Sequence, residues 1–144
     1  MAKRILVALD RVTPMALLDL VTTAAGGGGA TVRLLHVAPT PENVLDAYDR
    51  VVAYSDQEAA RVEWEILDEL RTLELAFGDA PVDSAVRFGD PVREILAAAE
   101  DFEADLIVMA MRGGPAVRRL WSGSVAEQVA RRARMPVGLV AAHA

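Results

Sequence analysis

The run DLIVMAM, Asp105 to Met111, decides the fold class, because its apolar residues follow one another without alternation. Continuous apolar runs are typical of strands that are buried on both faces, as in parallel sheets. RILVAL, Arg4 to Leu9, has the same character, and TVRLLHV, Thr31 to Val37, predicts another strand. We therefore predict a parallel sheet with Asp105 to Met111 as a central strand.

Two further strands are predicted near the ends of this sheet. Val82 to Phe88 mixes apolar and charged residues, which favours an edge strand, and Val137 to Ala142 is the last strand. Between strands, apolar residues recur every three or four positions, which is helical spacing. The predicted helices follow Thr13-Pro14, Ser55, Gly89-Asp90-Pro91 and Gly123-Ser124. Alternating strands and helices predict a single α/β domain, residues 1–144, with helices on both faces of an open parallel sheet.

The segment from Thr40 to Phe77 is the least regular part of the pattern. Thr40-Pro41 could open a helix that carries Val44, Tyr48 and Val51, or the segment could be irregular. A capping box at Ser55 then predicts a long helix. Its apolar stripe comprises Ala59, Val62, Ile66, Leu70, Leu73 and Phe77.

Composition excludes several classes of function. The chain has 144 residues, 53% of them apolar, and a net charge of -6, which disfavours nucleic acid as a partner. It has no cysteine, so disulfides, thiolate nucleophiles and cysteine metal sites are excluded. No apolar run reaches the length of a signal sequence core or a membrane span, so we expect a cytoplasmic protein with no membrane partner.

Most catalytic and nucleotide motifs are missing. His36, within the second strand, is interpreted as a partly buried strand-end residue, and His143 is penultimate. No Gly-x-Ser-x-Gly elbow, zinc spacing, Rossmann glycine fingerprint or Walker loop occurs, so we predict neither a catalytic residue nor a metal ligand. The four glycines from Gly26 to Gly29 lie between a helix and a strand and are interpreted as a turn.

The stretch MRGGPAVRRLWSGSVAEQ, which follows the central strand, is the best candidate for a binding loop. Ser124 and Glu127 form a capping box, and a simple helix entrance is one interpretation. The other is an anion site, because a helix N-terminus attracts phosphate and Arg112, Arg118 and Arg119 add positive charge. In doubly wound sheets, ligands bind beyond the strand carboxyl ends, which here selects the loops after Leu9, Val37 and Met111.

Motifs along nearly the whole chain resemble the universal stress protein (UspA) family. They are KRILVALD, LLHV, GDPVREILAAAEDFEADLIVMA and GSVAEQVARRARMPV. The nucleotide-binding branch of the family carries Gly-x2-Gly-x9-Gly-[Ser/Thr] after its fourth strand. The corresponding positions here are Ala110, Gly113, Gly123 and Ser124. The resemblance implies a Rossmann-like sheet with strand order 3-2-1-4-5 and a homodimer paired through Val137 to Ala142.

The resemblance also implies an adenine-nucleotide site for ATP, AMP or ADP, with or without Mg. Ala8 and Asp10 would face the ribose and adenine. The backbone of Val37 would meet the adenine edge, and Met109 would form an apolar wall. The phosphates would contact Gly113, Gly123, Ser124 and Val125. We add Arg112 to this site for its charge alone.

Two departures from the family pattern leave three functions open. Ala110 replaces the first motif glycine, and Arg11 follows Asp10 where Gly-Ser is frequent. A methyl group at a point of close nucleotide approach costs about 1–3 kcal/mol, as in overpacking. The alternatives are a nucleotide-binding stress-response regulator, a homodimeric interaction module without ligand, and a slow ATPase that uses Asp10.

Overall fold

The computed structural model describes residues 3–9, 29–40, 44–45, 48, 50–53, 55–77, 81–112 and 125–142. Five strands form one parallel sheet, and two short strands pair antiparallel in a separate ribbon. The strands of the sheet are β1 (Arg4–Leu9), β2 (Thr31–Ala38), β5 (Val82–Phe88), β6 (Leu106–Arg112) and β7 (Val137–Ala142). Those of the ribbon are β3 (Val44–Leu45) and β4 (Val51–Ala53). The helices are α1 (Ser55–Glu74), followed by a 3-10 turn (Leu75–Phe77), α2 (Pro91–Phe102) and α3 (Val125–Arg132).

The strand order of the large sheet is β5-β2-β1-β6-β7, which confirms the predicted order 3-2-1-4-5. The chain moves outward from β1 through β2 to β5, and then crosses to the other side of β1 for β6 and β7. Strand order therefore reverses between β1 and β6. In open parallel sheets, the carboxyl ends of the strands at such a reversal form the usual ligand crevice.

Two apolar clusters lie on opposite faces of the sheet, because successive strand residues point to opposite sides. One cluster joins Ile5, Val7 and Leu9 of β1 to Ile66 and Leu70 of α1. The other cluster contains the intervening β1 residues and the buried faces of the remaining two helices; it includes Leu6, Ala8, Val92, Ile95, Ala99 and Val129. Helices thus cover both faces, and β1 is buried on both, as its continuous apolar run predicts.

Helix α2 begins where the sequence predicts. The Asp90 side chain accepts a hydrogen bond from the Arg93 N–H at 3.0 Å, and Pro91 is the first helical residue. The helix ends at Phe102, where Glu103 takes a left-handed conformation (φ 55°) and donates its N–H to the Glu100 carbonyl. Between these two ends, the apolar face of α2 packs against the sheet.

One interpretation was wrong. A helix carrying Val44, Tyr48 and Val51 is not formed, since Val44–Leu45 and Val51–Ala53 pair as β3 and β4 instead. Three apolar positions are too few to distinguish a helix from short strands, and valine favours strands. Tyr48 is 79% exposed, so it belongs to no buried helical face.

The long helix after Ser55 is confirmed, with its stripe buried or half-buried. The predicted first helix, after Thr13-Pro14, lies outside the described residues.

Candidate functional site

Two predicted site residues are neighbours across the reversal of strand order. Ala8 of β1 and Met109 of β6 pair in register, and both side chains are buried, with 7% and 5% exposure. Both belong to the apolar cluster beneath α2 and α3. The structure therefore brings together a small residue near the carboxyl end of β1 and a methionine in the middle of β6.

Val37 and Val125 complete this apolar wall. Each is half-buried and packs against the same cluster as Ala8 and Met109. Val37 lies near the end of β2, and Val125 is the first residue of α3. Four side chains from four separate elements therefore belong to, or pack against, the apolar cluster on one face of the sheet.

Ala110 and Arg112 are described in their backbone. Ala110 pairs in register with Leu9 and Val140, and Arg112 is the last residue of β6. Among the described residues other than glycine, a positive φ occurs at Glu103 alone. Ala110 therefore takes an ordinary strand conformation, and its backbone does not need the freedom of the glycine that it replaces.

The remaining predicted residues lie outside the described residues. They are Asp10, Gly113, Gly123 and Ser124. The structure therefore gives positions for the apolar residues of the predicted site but not for its phosphate contacts, and the site itself stays a prediction.

The backbone of Val37 is directed toward β1. Along β2, hydrogen bonds alternate in direction: Thr31 N–H donates to the Lys3 carbonyl at 2.7 Å, and Val32 N–H donates to the Pro81 carbonyl at 2.9 Å. Odd-numbered residues of β2 therefore face β1, and even-numbered residues face β5. Val37 is odd-numbered, yet the pairing of β1 with β2 ends at Ala8 and Leu35. Its peptide N–H and C=O thus face β1 beyond the last paired residues of the two strands.

His36 lies at the same junction, and it is half-buried, as interpreted from the sequence. Its ring Nδ1 is 2.8 Å from the carbonyl oxygen of Leu9, the last residue of β1. A carbonyl oxygen only accepts hydrogen bonds, so Nδ1 carries the proton and donates it. Nothing in the sequence pattern signals this contact, because it joins residues from two different strands.

A separate cleft of about 390 Å³ opens between α2 and α3. Leu96 and Met135 contribute apolar surface, and Arg93, Arg132 and Arg134 stand among its lining residues. None of the predicted nucleotide contacts lines this cleft. It is therefore distinct from the site at the strand ends.

The described residues contain neither a metal-binding cluster nor a membrane-spanning helix. Within these residues, no three histidine or acidic side chains are grouped closely enough to hold a metal ion. None of their helices combines the length and apolarity needed to cross a bilayer.

Fold and site together define a doubly wound α/β protein with a candidate ligand site at the reversal of strand order. The Universal stress protein family model matches residues 1–141, and the chain belongs to this family. A curated relative from Thermus aquaticus, named "Universal stress protein in QAH/OAS sulfhydrylase 3'region", is 36% identical over 102 residues. That alignment covers 67% of this chain and 74% of the relative.

Solved structures share the fold over nearly the whole chain. The hypothetical protein MJ0577 superposes with a TM-score of 0.72 at 23% identity, covering 99% of this chain and 97% of that one. A universal stress protein in complex with cAMP gives 0.66 at 21% identity, covering 97% of each chain. The universal stress protein from Archaeoglobus fulgidus in complex with dAMP gives 0.59 at 22%, covering 96% and 97%. At these identities, the likeness establishes the fold.

Proposed function

We propose that this universal stress protein binds an adenine nucleotide at the carboxyl ends of β1, β2 and β6 and acts as a stress-response regulator. The observation that carries the proposal is the backbone of Val37, whose N–H and C=O face β1 beyond the last paired residues. Adenine presents a donor at N6 beside an acceptor at N1, which complements one peptide C=O and one N–H. Guanine presents an acceptor at O6 and a donor at N1, so the same peptide groups would meet it donor to donor.

The apolar wall supports an aromatic base. Ala8, Met109, Val37 and Val125 offer carbon surface on one face of the sheet. A flat ring placed there gains dispersion and hydrophobic contacts, while the peptide groups of Val37 fix its edge. The small side chain of Ala8 leaves room where a larger residue would fill the crevice.

The phosphates would lie at the loop between β6 and α3. Gly113, Gly123, Ser124 and Val125 would supply backbone N–H groups, with Arg112 as a charge partner. Each charge-assisted hydrogen bond contributes about 1.5–3 kcal/mol. A few of these with the base contacts reach the roughly 8 kcal/mol of micromolar binding. Structural neighbours solved with cAMP and dAMP also favour an adenine ligand, with ATP, AMP or ADP as candidates and Mg as an optional companion.

Calorimetry with ATP and GTP tests this proposal. We expect ATP to bind, and GTP to bind about tenfold or more weakly, because one mismatched hydrogen bond at the base is worth at least that factor. Mass spectrometry of small molecules released from freshly purified protein identifies a nucleotide that co-purifies. No heat signal at millimolar ATP would contradict nucleotide binding.

The edge strand β7 favours a second property, a homodimer paired through Val137 to Ala142. Within the described sheet, β7 pairs on one side with β6 and has its other side open. Its sequence VGLVAA is apolar, and an apolar strand edge without a partner invites association. We expect light scattering to give twice the mass of one chain. A dimer without ATP binding would favour the interaction module, whereas a monomeric mass contradicts the pairing.

A further inference from the structure

We propose that His36 is a positioning residue that keeps the N–H of Val37 open for the adenine edge. It does so by donating its own Nδ1–H to the Leu9 carbonyl, which would otherwise accept the Val37 N–H. This inference rests on the proposed function, because it assigns His36 to the base-recognition half of the same site.

The alternation of the backbone shows which bond His36 replaces. Lys3 and Arg4 direct successive carbonyls to opposite sides of β1: Lys3 accepts from Thr31 of β2, and Arg4 accepts from Asp105, just before β6. Every second carbonyl from Lys3 onward therefore faces β2, and that of Leu9 is among them. If β1 and β2 paired one step further, the next hydrogen bond would run from Val37 N–H to this carbonyl.

That further step is not taken, although all of the residues involved are described. The register ends with Ala8 opposite Leu35. The Leu9 carbonyl instead accepts from His36 Nδ1 at 2.8 Å. A side chain thus ends the pairing of the two strands one bond early, beside the residue whose backbone is proposed to contact adenine.

The Leu9 carbonyl needs a hydrogen-bond donor, which explains why an imidazole suits position 36. Leu9 has a buried side chain at the end of a buried strand, and its carbonyl needs a donor to offset the loss of water. An apolar residue at position 36 would leave Val37 N–H as the nearest donor, and the strands would pair one bond further. The neighbours of His36 on its face of β2, Leu34 and Ala38, are apolar and buried, so His36 is the donor that this face supplies.

Nuclear magnetic resonance tests the geometry without any nucleotide. Long-range nitrogen spectra of the wild-type protein should show a proton on His36 Nδ1; an Nδ1 without a proton overturns the proposal. Amide hydrogen exchange should show Val37 N–H unprotected in the free protein. A Val37 amide that is already protected without ligand also overturns it.

Two variants separate the hydrogen bond from the shape of the side chain. His36→Leu removes the donor at similar size, and His36→Asn keeps an N–H donor at the δ position. In His36→Leu, we expect the Val37 amide to become protected without ligand, and ATP to bind about tenfold more weakly. In His36→Asn, both measurements should return toward wild-type values. A purely structural role for the ring would not be rescued in this way.

The outcomes distinguish this inference from the proposed function. If wild-type protein binds no ATP, the proposed function fails, and the role of His36 fails with it. If wild-type protein binds ATP and His36→Leu binds it equally well, the role of His36 alone is overturned. If His36→Leu fails to fold, two measurements on the wild-type protein still test the role of His36: the proton on its Nδ1 and the hydrogen exchange of the Val37 amide.

Discussion

The two ends of the parallel sheet are built differently. At the amino ends, side chains tie the strands together: Arg4 N–H donates to Asp105 Oδ2 at 2.9 Å, and Arg33 pairs with Asp83 through two bonds of 2.8 and 2.9 Å. The guanidinium groups of Arg4 and Arg33 both lie over the Phe102 ring, at 5.4 and 4.5 Å from its centre. At the carboxyl ends, by contrast, the pairing of β1 with β2 ends at Ala8 and Leu35, and the backbone of Val37 faces β1 without pairing in register with it.

This contrast predicts that residues at one end of the strands determine the stability of the fold, and that residues at the other end determine ligand affinity. At the amino ends, charged and peptide groups are paired with each other, and the hydrogen bonds that Arg33 donates to Asp83 raise the pKa of the Arg33 guanidinium. At the carboxyl ends, the N–H and C=O of Val37 face β1 beyond the last paired residues. Changes at the first end should therefore alter the free energy of unfolding, and changes at the second should alter ligand affinity.

The largest expected effect follows from Phe102→Ala. Phe102 is 4% exposed and supports two arginines, so its truncation should lower the free energy of unfolding by about 3–5 kcal/mol. Urea unfolding measures this loss, and Phe102→Leu, which keeps apolar volume without the ring face, is the control and should lose less. The ATP affinity of the folded variant should not change. A loss of ATP affinity in Phe102→Ala would contradict the expectation that the amino end of the sheet affects stability alone.

The next effect is expected from Gly123→Val, which places a branched side chain where phosphate would approach the backbone. We expect ATP affinity to fall by about 100-fold, through the loss of one or two charge-assisted hydrogen bonds, with little change in urea unfolding. Gly113→Glu should act similarly by charge repulsion. Gly138→Ala in β7 is the matched control, because an added Cβ there meets no atom within 4 Å. An unchanged ATP affinity in Gly123→Val would contradict the proposal that the loop between β6 and α3 binds the phosphates.

The smallest effect is expected from Asp83→Asn. Asp83 and Arg33 are 55% and 32% exposed, so solvent screens their pairing, and the free energy of unfolding should fall by only about 0.5 kcal/mol. High salt should reduce the difference further. Thermal unfolding of the variant and wild type at low and high salt measures this. A loss several times larger would show that the amino end depends on charge more than on the packing of Phe102.

Continuous apolar runs and turn residues predicted most of the fold. The strands β1 and β6 could be recognised because burial on both faces favours apolar residues at successive positions, as at Ile5 to Leu9 and Ile107 to Met109. Asp90-Pro91 marked a helix start because each residue satisfies a local requirement of the first turn. The β3–β4 ribbon was not predicted, because strands of two and three residues are too short to show the alternation of apolar and polar residues.

The candidate site stays a prediction, and the structure adds the relative positions of some of its residues. Ala8, Val37 and Met109 came from the family resemblance, and the register then placed Ala8 beside Met109. The bond from His36 to Leu9 could not be predicted, because it depends on where two strands stop pairing. That point is set by three-dimensional geometry and leaves no mark on hydrophobic periodicity.

The position of β1 in the middle of the sheet also governs the order in which the protein can assemble. Arg4 and its partner Asp105 are 101 residues apart, and the β6 side of β1 can be covered only after that length of chain has been made. A nascent chain can gather β2, β5 and α1 on one side while the other edge of β1 stays open to water. Such distant pairings slow folding and expose apolar edges to neighbouring chains. The same crossing that reverses the strand order therefore makes the growing chain vulnerable until β6 has emerged.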